Sequence, residues 1–271
     1  MREDSPPPTG QPKLPKLPKL PKLPKLPKLP KLYEELAAWW PLLSPPVHYL
    51  EEAYIYRSLI LEACVSPPRT LLELGSGGGN NASHLKLDFA MTLVDRSAGM
   101  LEVSKALNPE CEHVRSDMRD VRLGREFDAV FVHDAVAYLT TLEDLARAAE
   151  TAFVHCRAGG AALFAPDAIR DTFQGTTHCG GRDDATRGLR YLQWIWDPDP
   201  SDSTYLADFA YVLREGAGVP RVEHDRHVFG LFAREEWLRV LRDTGFEPRA
   251  EPLVHSGVPA GTVEMFVAIK P

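Results

Sequence analysis

Short apolar runs bounded by turn residues alternate with longer mixed segments through the first two thirds of this chain. Residues 70–74 (Thr-Leu-Leu-Glu-Leu), 91–94, 112–115, 127–132 (Phe-Asp-Ala-Val-Phe-Val) and 161–165 read as strands. Helix-capable segments lie between them, notably 80–87 and 141–156, the latter opened by a weak capping box of Thr141 and Asp144. Strand and helix alternating across short turns predict a parallel sheet with right-handed crossovers. Upstream, residues 33–61 are helical and aromatic but interrupted at Pro41 and Pro45-Pro46, which predicts two helices at about 33–40 and 47–63. From Thr172 the pattern changes. Residues 175–188 read as a polar, Gly-rich loop. Three β-rich runs follow, at 189–196, 204–214 and 221–231, and suggest an antiparallel meander. A helix at 234–244 stops at Gly245, and strands at 251–255 and 262–270 end the chain.

The first strand breaks into Gly75-Ser-Gly-Gly-Gly79. Glycines permit positive φ and bring bare backbone up to a ligand. A turn from strand into helix also aims free N–H groups and a positive helix end at that ligand. Four glycines in five residues are costly to order without such a use. Two cofactor classes compete. A dinucleotide fingerprint wants Gly-x-Gly-x-x-Gly, and Gly75 and Gly77 fit while Asn80 occupies the third place. The observed spacing is Gly-x-Gly-x-Gly (Gly75, Gly77, Gly79), with Glu73 two residues before. Asp95, 20 residues after Gly75, ends the second strand, where a carboxylate can accept from vicinal ribose hydroxyls.

This pattern resembles motif I of the class I S-adenosylmethionine-dependent methyltransferases, and further parts of that family follow in order. Ser116-Asp117-Met118 after the third strand resembles the adenine motif, and Phe127-Asp-Ala-Val before His133-Asp134 resembles motif IV. Arg-Asp-Thr-Gly-Phe and the closing apolar strand resemble the family's sixth and seventh strands, the seventh antiparallel. The resemblance covers residues 33–271. It implies a Rossmann-like seven-stranded α/β sheet with N-terminal cap helices and an antiparallel β lid insertion. The implied cofactor is S-adenosylmethionine, held by Tyr33, Glu73, Gly75, Ser76, Gly77, Gly79, Asp95, Arg96, Met100, Asp117, Met118 and His133. Asp95 would bind the ribose. Asp117 and the Met118 N–H would bind adenine, with Arg96 and Met100 beside it, and Tyr33 would cover the methionine end.

Candidates for a general base are His133, with Asp134 to orient it, then His178 and His227 from the lid, because imidazole titrates near neutrality. Trp39, Tyr138, Tyr191 and Trp194 are candidates for contacting the acceptor. For the meander, the alternatives are a homodimer interface or a covering layer. Cys179 beside His178 lacks a second ligand pair at metal spacing, so no metal is expected, and the four cysteines read as reduced packing thiols.

Composition narrows the setting. The 271 residues are 44% hydrophobic, enough for one α/β domain with additions, and no apolar run approaches a membrane span. The absence of an apolar signal core argues for the cytoplasm. The net charge of −7 is uneven: residues 1–32 hold eight basic and two acidic side chains, leaving 23 basic against 36 acidic in the rest. An acidic body argues against a nucleic-acid substrate. Pro-Lys-Leu repeats seven times from Pro12 to Leu32. Proline at every third residue favours polyproline II, which sorts Lys, Leu and Pro onto separate stripes over roughly 65 Å. The expected organisation is a disordered arm at 1–32, cap helices at 33–66, and a methyltransferase domain at 67–271 carrying a lid at 172–232. The expected activity is methylation of an oxygen or nitrogen on a small metabolite in natural-product tailoring. The alternatives are an NAD(P)-dependent oxidoreductase and a non-catalytic scaffold working through the arm.

Overall fold

The computed structural model describes residues 29–257 and 259–271. The expectations for residues 1–28, most of the Pro-Lys-Leu arm, lie outside the described residues.

A seven-stranded sheet forms the body. Its strands are β1 (Thr70–Leu74), β2 (Ala90–Asp95), β3 (Glu112–Arg115), β4 (Phe127–Val132), β5 (Cys156–Phe164), β10 (Glu247–Pro252) and β11 (Glu264–Ile269), in the order β10-β11-β5-β4-β1-β2-β3. The first five are parallel, and β11 runs antiparallel to both β5 and β10. The continuous apolar runs reflect burial on both faces. Leu72, Leu74, Val130 and Phe164 join one core with α5 (Leu142–His155) and α6 (Arg234–Thr244). Leu71, Ala129, Phe131 and Leu163 join a second with α2 (Leu50–Ala63) and α3 (Ala82–Leu85). The loops after β1, β2, β3, β4 and β5 therefore open at one edge of the sheet, where open α/β sheets bind ligands.

A separate four-stranded antiparallel sheet covers that edge, ordered β6 (Thr176–Asp183), β7 (Arg187–Trp196), β8 (Thr204–Glu215), β9 (Arg221–Gly230). A third core joins its inner face, through Tyr205, Phe209, Tyr211 and Phe229, to Leu32, Leu36, Trp39 and Leu42 of the N-terminal segment.

Four boundaries differ from the sequence reading. Residues 176–183 form a strand, not a loop; β6 is an edge strand with every residue exposed, so no alternation marks it. Gly159 and Gly160 are not a connection ahead of the fifth strand. They lie inside β5, which begins five residues earlier than expected, and the β4–β5 register slips between Phe127 and Ala129. The sixth strand lies at Glu247–Pro252 because it pairs with β11 from Glu247↔Ile269 to Pro252↔Glu264; as an edge strand it tolerates Pro248 and Pro252. The first predicted helix breaks into 3-10 turns at Lys31–Tyr33 and Ala37–Trp39 and a short α1 (Trp40–Leu43), which Pro41 enters at the first turn.

Candidate active site

The glycine turn is fixed from three sides. Gly75 and Ser76 donate to the Val94 carbonyl at 2.7 and 3.0 Å, and Asn80 Nδ2 donates to the Ser44 carbonyl at 2.8 Å. Gly75 has φ +75°, and a Cβ there would lie 2.3 Å from Ala135 Cβ and 2.7 Å from Met118 Cε. A Cβ at Gly78 would stand 2.4 Å from Trp40 Nε1, so the cap's indole lies directly on the turn. Asp95 closes the loop: its Oδ2 accepts from Gly77 N–H at 2.8 Å and its Oδ1 from Ser97 N–H at 2.7 Å. Ser97, not Asp95, caps α4 (Ala98–Leu107) by accepting from Met100 N–H. Each Asp95 oxygen keeps a lone pair for a hydroxyl.

A cavity of about 420 Å³ runs from this turn under the lid. At one end Met100 and Met118 line it beside Asp117. Asp117 receives the Arg119 guanidinium on both oxygens, at 3.0 and 2.8 Å, and Arg96 Nε at 3.3 Å. Burial raises the Asp117 carboxyl, but these contacts win and hold it below the usual range.

At the other end His133 follows β4. Its Nε2 lies 3.0 Å from Asp134 Oδ1 and 3.5 Å from Glu52 Oε1. Burial opposes charge on this imidazole, yet the Asp134 and Glu52 carboxylates override it and raise its pKa to about 10. His133 is therefore an imidazolium at neutral pH. It holds charge and cannot accept a proton, which counts against its expected place as first base. Asp167, after β5, hydrogen-bonds Asp134, and burial together with Asp134 raises it well above the carboxylate range. Glu73 points into the same region. Burial raises it to about 8, only partly offset by His133.

On the lid side Tyr33, Tyr138, Tyr191, Gln193, Phe209, His227 and Phe229 close the cavity. His227 is buried, with Nδ1 at 2.6 Å from the Tyr138 hydroxyl and Nε2 at 3.1 Å from Asp225 Oδ2. Four expected residues stand elsewhere. Gly79 lies outside the cavity wall, packed against Ser104 and Asn108. Trp194 is half exposed and stacks on Trp196 on the outer face, because side chains alternate along β7 and Tyr191 points in. Trp39 is buried under the Arg187 guanidinium, and its neighbour Trp40 lines the cavity instead. His178 shares the inner face with Gln193, its register partner, but sits exposed on the edge strand outside the cavity wall.

Sequence reasoning missed Glu52, Asn81 and Asp167, and also Tyr49, which lines the cavity with its hydroxyl 2.7 Å from Ser44 Oγ. Asp167 was within reach, since Pro166-Asp167 follows a strand at the same edge as His133. Glu52 carried no signal: on α2 it reads as one more charge on a wet helix face.

The wall fits a polar, elongated, cationic ligand. Trp40 Nε1, Glu73 Oε2, Ser76 Oγ and Asn81 Oδ1 are buried there without a protein partner. Orphaned donors and acceptors of this kind call for ligand atoms. Met100 and Met118 offer an apolar slot for a ring, and Asp95 free lone pairs for a ribose.

Comparison with known proteins points the same way. A methyltransferase-domain family model matches residues 71–160. The chain is 33% identical over 106 residues to a dTDP-3-amino-3,4,6-trideoxy-alpha-D-glucopyranose N,N-dimethyltransferase of Streptomyces venezuelae. That match spans 38% of this chain and less than half, 45%, of the relative. It is 27% identical over 204 residues to a dTDP-4-amino-2,3,4,6-tetradeoxy-D-glucose N,N-dimethyltransferase of Saccharopolyspora spinosa, covering 74% of this chain and 79% of the relative. In fold it resembles the sugar N-methyltransferase KedS8 of a Streptoalloteichus species, at TM-score 0.75 and 23% identity over 94% of this chain and 99% of that one. Motif order, strand order and these matches agree: residues 71–160 match a methyltransferase domain, and the chain has the fold of the class I S-adenosylmethionine-dependent methyltransferases.

Proposed function

We propose that the protein methylates the amine nitrogen of an amino sugar in natural-product tailoring. The charge of the cavity wall carries this reading. Asp95, Asp117, Asp134 and Asp144 line it, with the protonatable Glu73 and Asp167 between them, against Arg96, Arg119 and the His133 imidazolium; both guanidinium groups reach Asp117, and Asp134 holds the imidazolium. Such a wall favours a protonated amine at the reacting end of the acceptor. The N,N-dimethyltransferase relatives act, by name, on dTDP-linked amino sugars, which supports the nitrogen over the oxygen alternative.

Bound S-adenosylmethionine supplies an activated methyl group, so this chain's own work is alignment, desolvation and removal of the amine proton. Gly75, Ser76, Gly77 and Asp95 would hold the cofactor's amino-acid and ribose parts, with Asp117, Met118, Met100 and Arg96 around the adenine. Glu73 and Tyr33 would flank the sulfonium side, and Tyr138 and Tyr191 the acceptor. His133, held between Glu52 and Asp134, fixes those carboxylates in place beside the amine.

Methyl transfer from labelled S-adenosylmethionine tests the reading. The acceptors are dTDP-3-amino and dTDP-4-amino deoxysugars, their N-acetyl derivatives and the matching hydroxy sugars. Turnover of an amine, first to the monomethyl and then to the dimethyl product, is expected, with none for the acetylated or hydroxy forms. Equal turnover of a hydroxy sugar, or no amine turnover, would overturn it.

A further inference from the structure

The inner face of the lid carries a chain of polar groups that neither the cofactor site nor the carboxylates around His133 accounts for. His227 projects inward from β9 and is 1% exposed. Its Nε2 lies 3.1 Å from Asp225 Oδ2, two residues along the same face, and its Nδ1 lies 2.6 Å from the Tyr138 hydroxyl. Tyr138 belongs to the turn after β4, beside Ala135 and the glycine turn, and its oxygen also lies 2.9 Å from the Tyr33 hydroxyl. Tyr138, His227 and Tyr33 all line the cavity. The far end is anchored as well. Leu32 N–H donates to the same Asp225 Oδ2 at 2.9 Å, and Lys31 Nζ reaches Glu223 at 2.8 Å. The last Pro-Lys-Leu unit thus holds β9 where Asp225 meets His227.

A nucleophile's proton needs an exit that the imidazolium of His133 does not offer. We propose that Tyr138, His227 and Asp225 form that exit: a relay in which Tyr138 and His227 carry the proton and Asp225 is the positioning residue. The proposal rests on the amine reading for its proton donor. The acceptor N–H bond breaks and its electron pair stays on nitrogen for attack. The Tyr138 oxygen takes that proton while its own proton passes to His227 Nδ1. The His227 Nε2–H stays bonded to the Asp225 carboxylate, which balances the imidazolium formed. This is the logic of a nucleophile, a base and a carboxylate that orients the base. The titratable groups facing His227 are Asp225 on its own strand, Tyr138 after β4 and Tyr33 from the N-terminal turn. Phe209 and Phe229 supply the apolar walls.

The test uses the full chain with Tyr138→Phe, Asp225→Asn and the double variant, each checked for folding by thermal melting and for binding of S-adenosylhomocysteine. With the amino sugar that the wild type methylates, kcat is expected to fall about 100-fold in either single variant, as for loss of a proton-transfer group. KM for both substrates should stay within threefold, and the double variant should be no slower than the worse single one, because the residues act as a unit. In nitrogen-15 histidine spectra Tyr138→Phe should move the His227 Nδ1 signal and Asp225→Asn the Nε2 signal. An active wild type with unimpaired kcat in Tyr138→Phe overturns the relay alone, and so do additive losses in the double variant. A wild type that methylates no amine overturns the amine reading, and the relay's proton donor with it. If Asp225→Asn does not fold, Tyr138→Phe decides, since it removes one oxygen and keeps the ring.

Discussion

Gly77 and Asp95 are tied together across the mouth of the cofactor turn: the Gly77 N–H donates to Asp95 Oδ2 at 2.8 Å, joining the loop after β1 to the end of β2. Asp95 thus shapes the turn while its spare lone pairs face the cavity. Asp95→Ala is expected to weaken S-adenosylhomocysteine binding by about 2–4 kcal/mol, the loss of hydrogen bonds to a charged acceptor. Asp95→Asn should lose less, because its carbonyl can keep the Gly77 bond but its amide cannot accept a second hydroxyl. Calorimetric titration of both variants checks this, and equal, undiminished affinity would remove Asp95 from the site.

Much of this arrangement was legible in the sequence. The glycine spacing, Asp95, Asp117 and His133 each stand at a strand end, and strand ends are written locally as apolar runs followed by turn residues. What was not legible depends on long-range packing. Glu52 reaches His133 only because α2 lies across the end of β4. Choosing Trp40 over Trp39 required knowing which of two adjacent indoles faces Gly78. β6 exists because it pairs with β7, and nothing in Thr-Thr-His-Cys-Gly-Gly says so. The imidazolium character of His133 follows from the carboxylates that the fold gathers around it.

Glu73 gives cofactor binding a pH signature. Burial raises its pKa to about 8, so in the free protein the carboxyl is mostly protonated at pH 7. A cationic ligand beside it favours the carboxylate, so binding at pH 7 should release most of one proton. Affinity should then rise as pH goes from about 6 to 8. Calorimetry in buffers of different ionisation enthalpy measures the release directly. In Glu73→Gln the buffer dependence should vanish.

His133 gives folding stability its own pH dependence. Its pKa rises from 6.5 to about 10 in the folded state, so its contribution is fully present below about pH 6.5 and is lost as pH rises through 10. Removing it also strands Glu52 and Asp134. His133→Gln should cost about 3–5 kcal/mol at pH 7, the cost of breaking a buried ion pair. The gap to wild type should narrow steadily towards pH 10. Urea unfolding at several pH values measures it, and a gap that is constant with pH would mean His133 is not charged in the native protein.

The last Pro-Lys-Leu unit should behave differently from those before it. Leu32 is 3% exposed, packs in the core shared by the lid and the N-terminal segment, and donates its N–H to Asp225. Burying a leucine side chain stabilises by about 1.5–3 kcal/mol. A protein lacking residues 2–28 keeps this contact and should melt at the wild-type temperature with wild-type affinity for S-adenosylhomocysteine. One lacking residues 2–32 should melt several degrees lower. Its lid should also exchange backbone hydrogens faster across β9, because Asp225 loses the Leu32 N–H and Glu223 the Lys31 ammonium. Equal melting of the two truncations would mean that Leu32 anchors nothing. A matching fall in both would instead place the stabilising contact within the first six repeats.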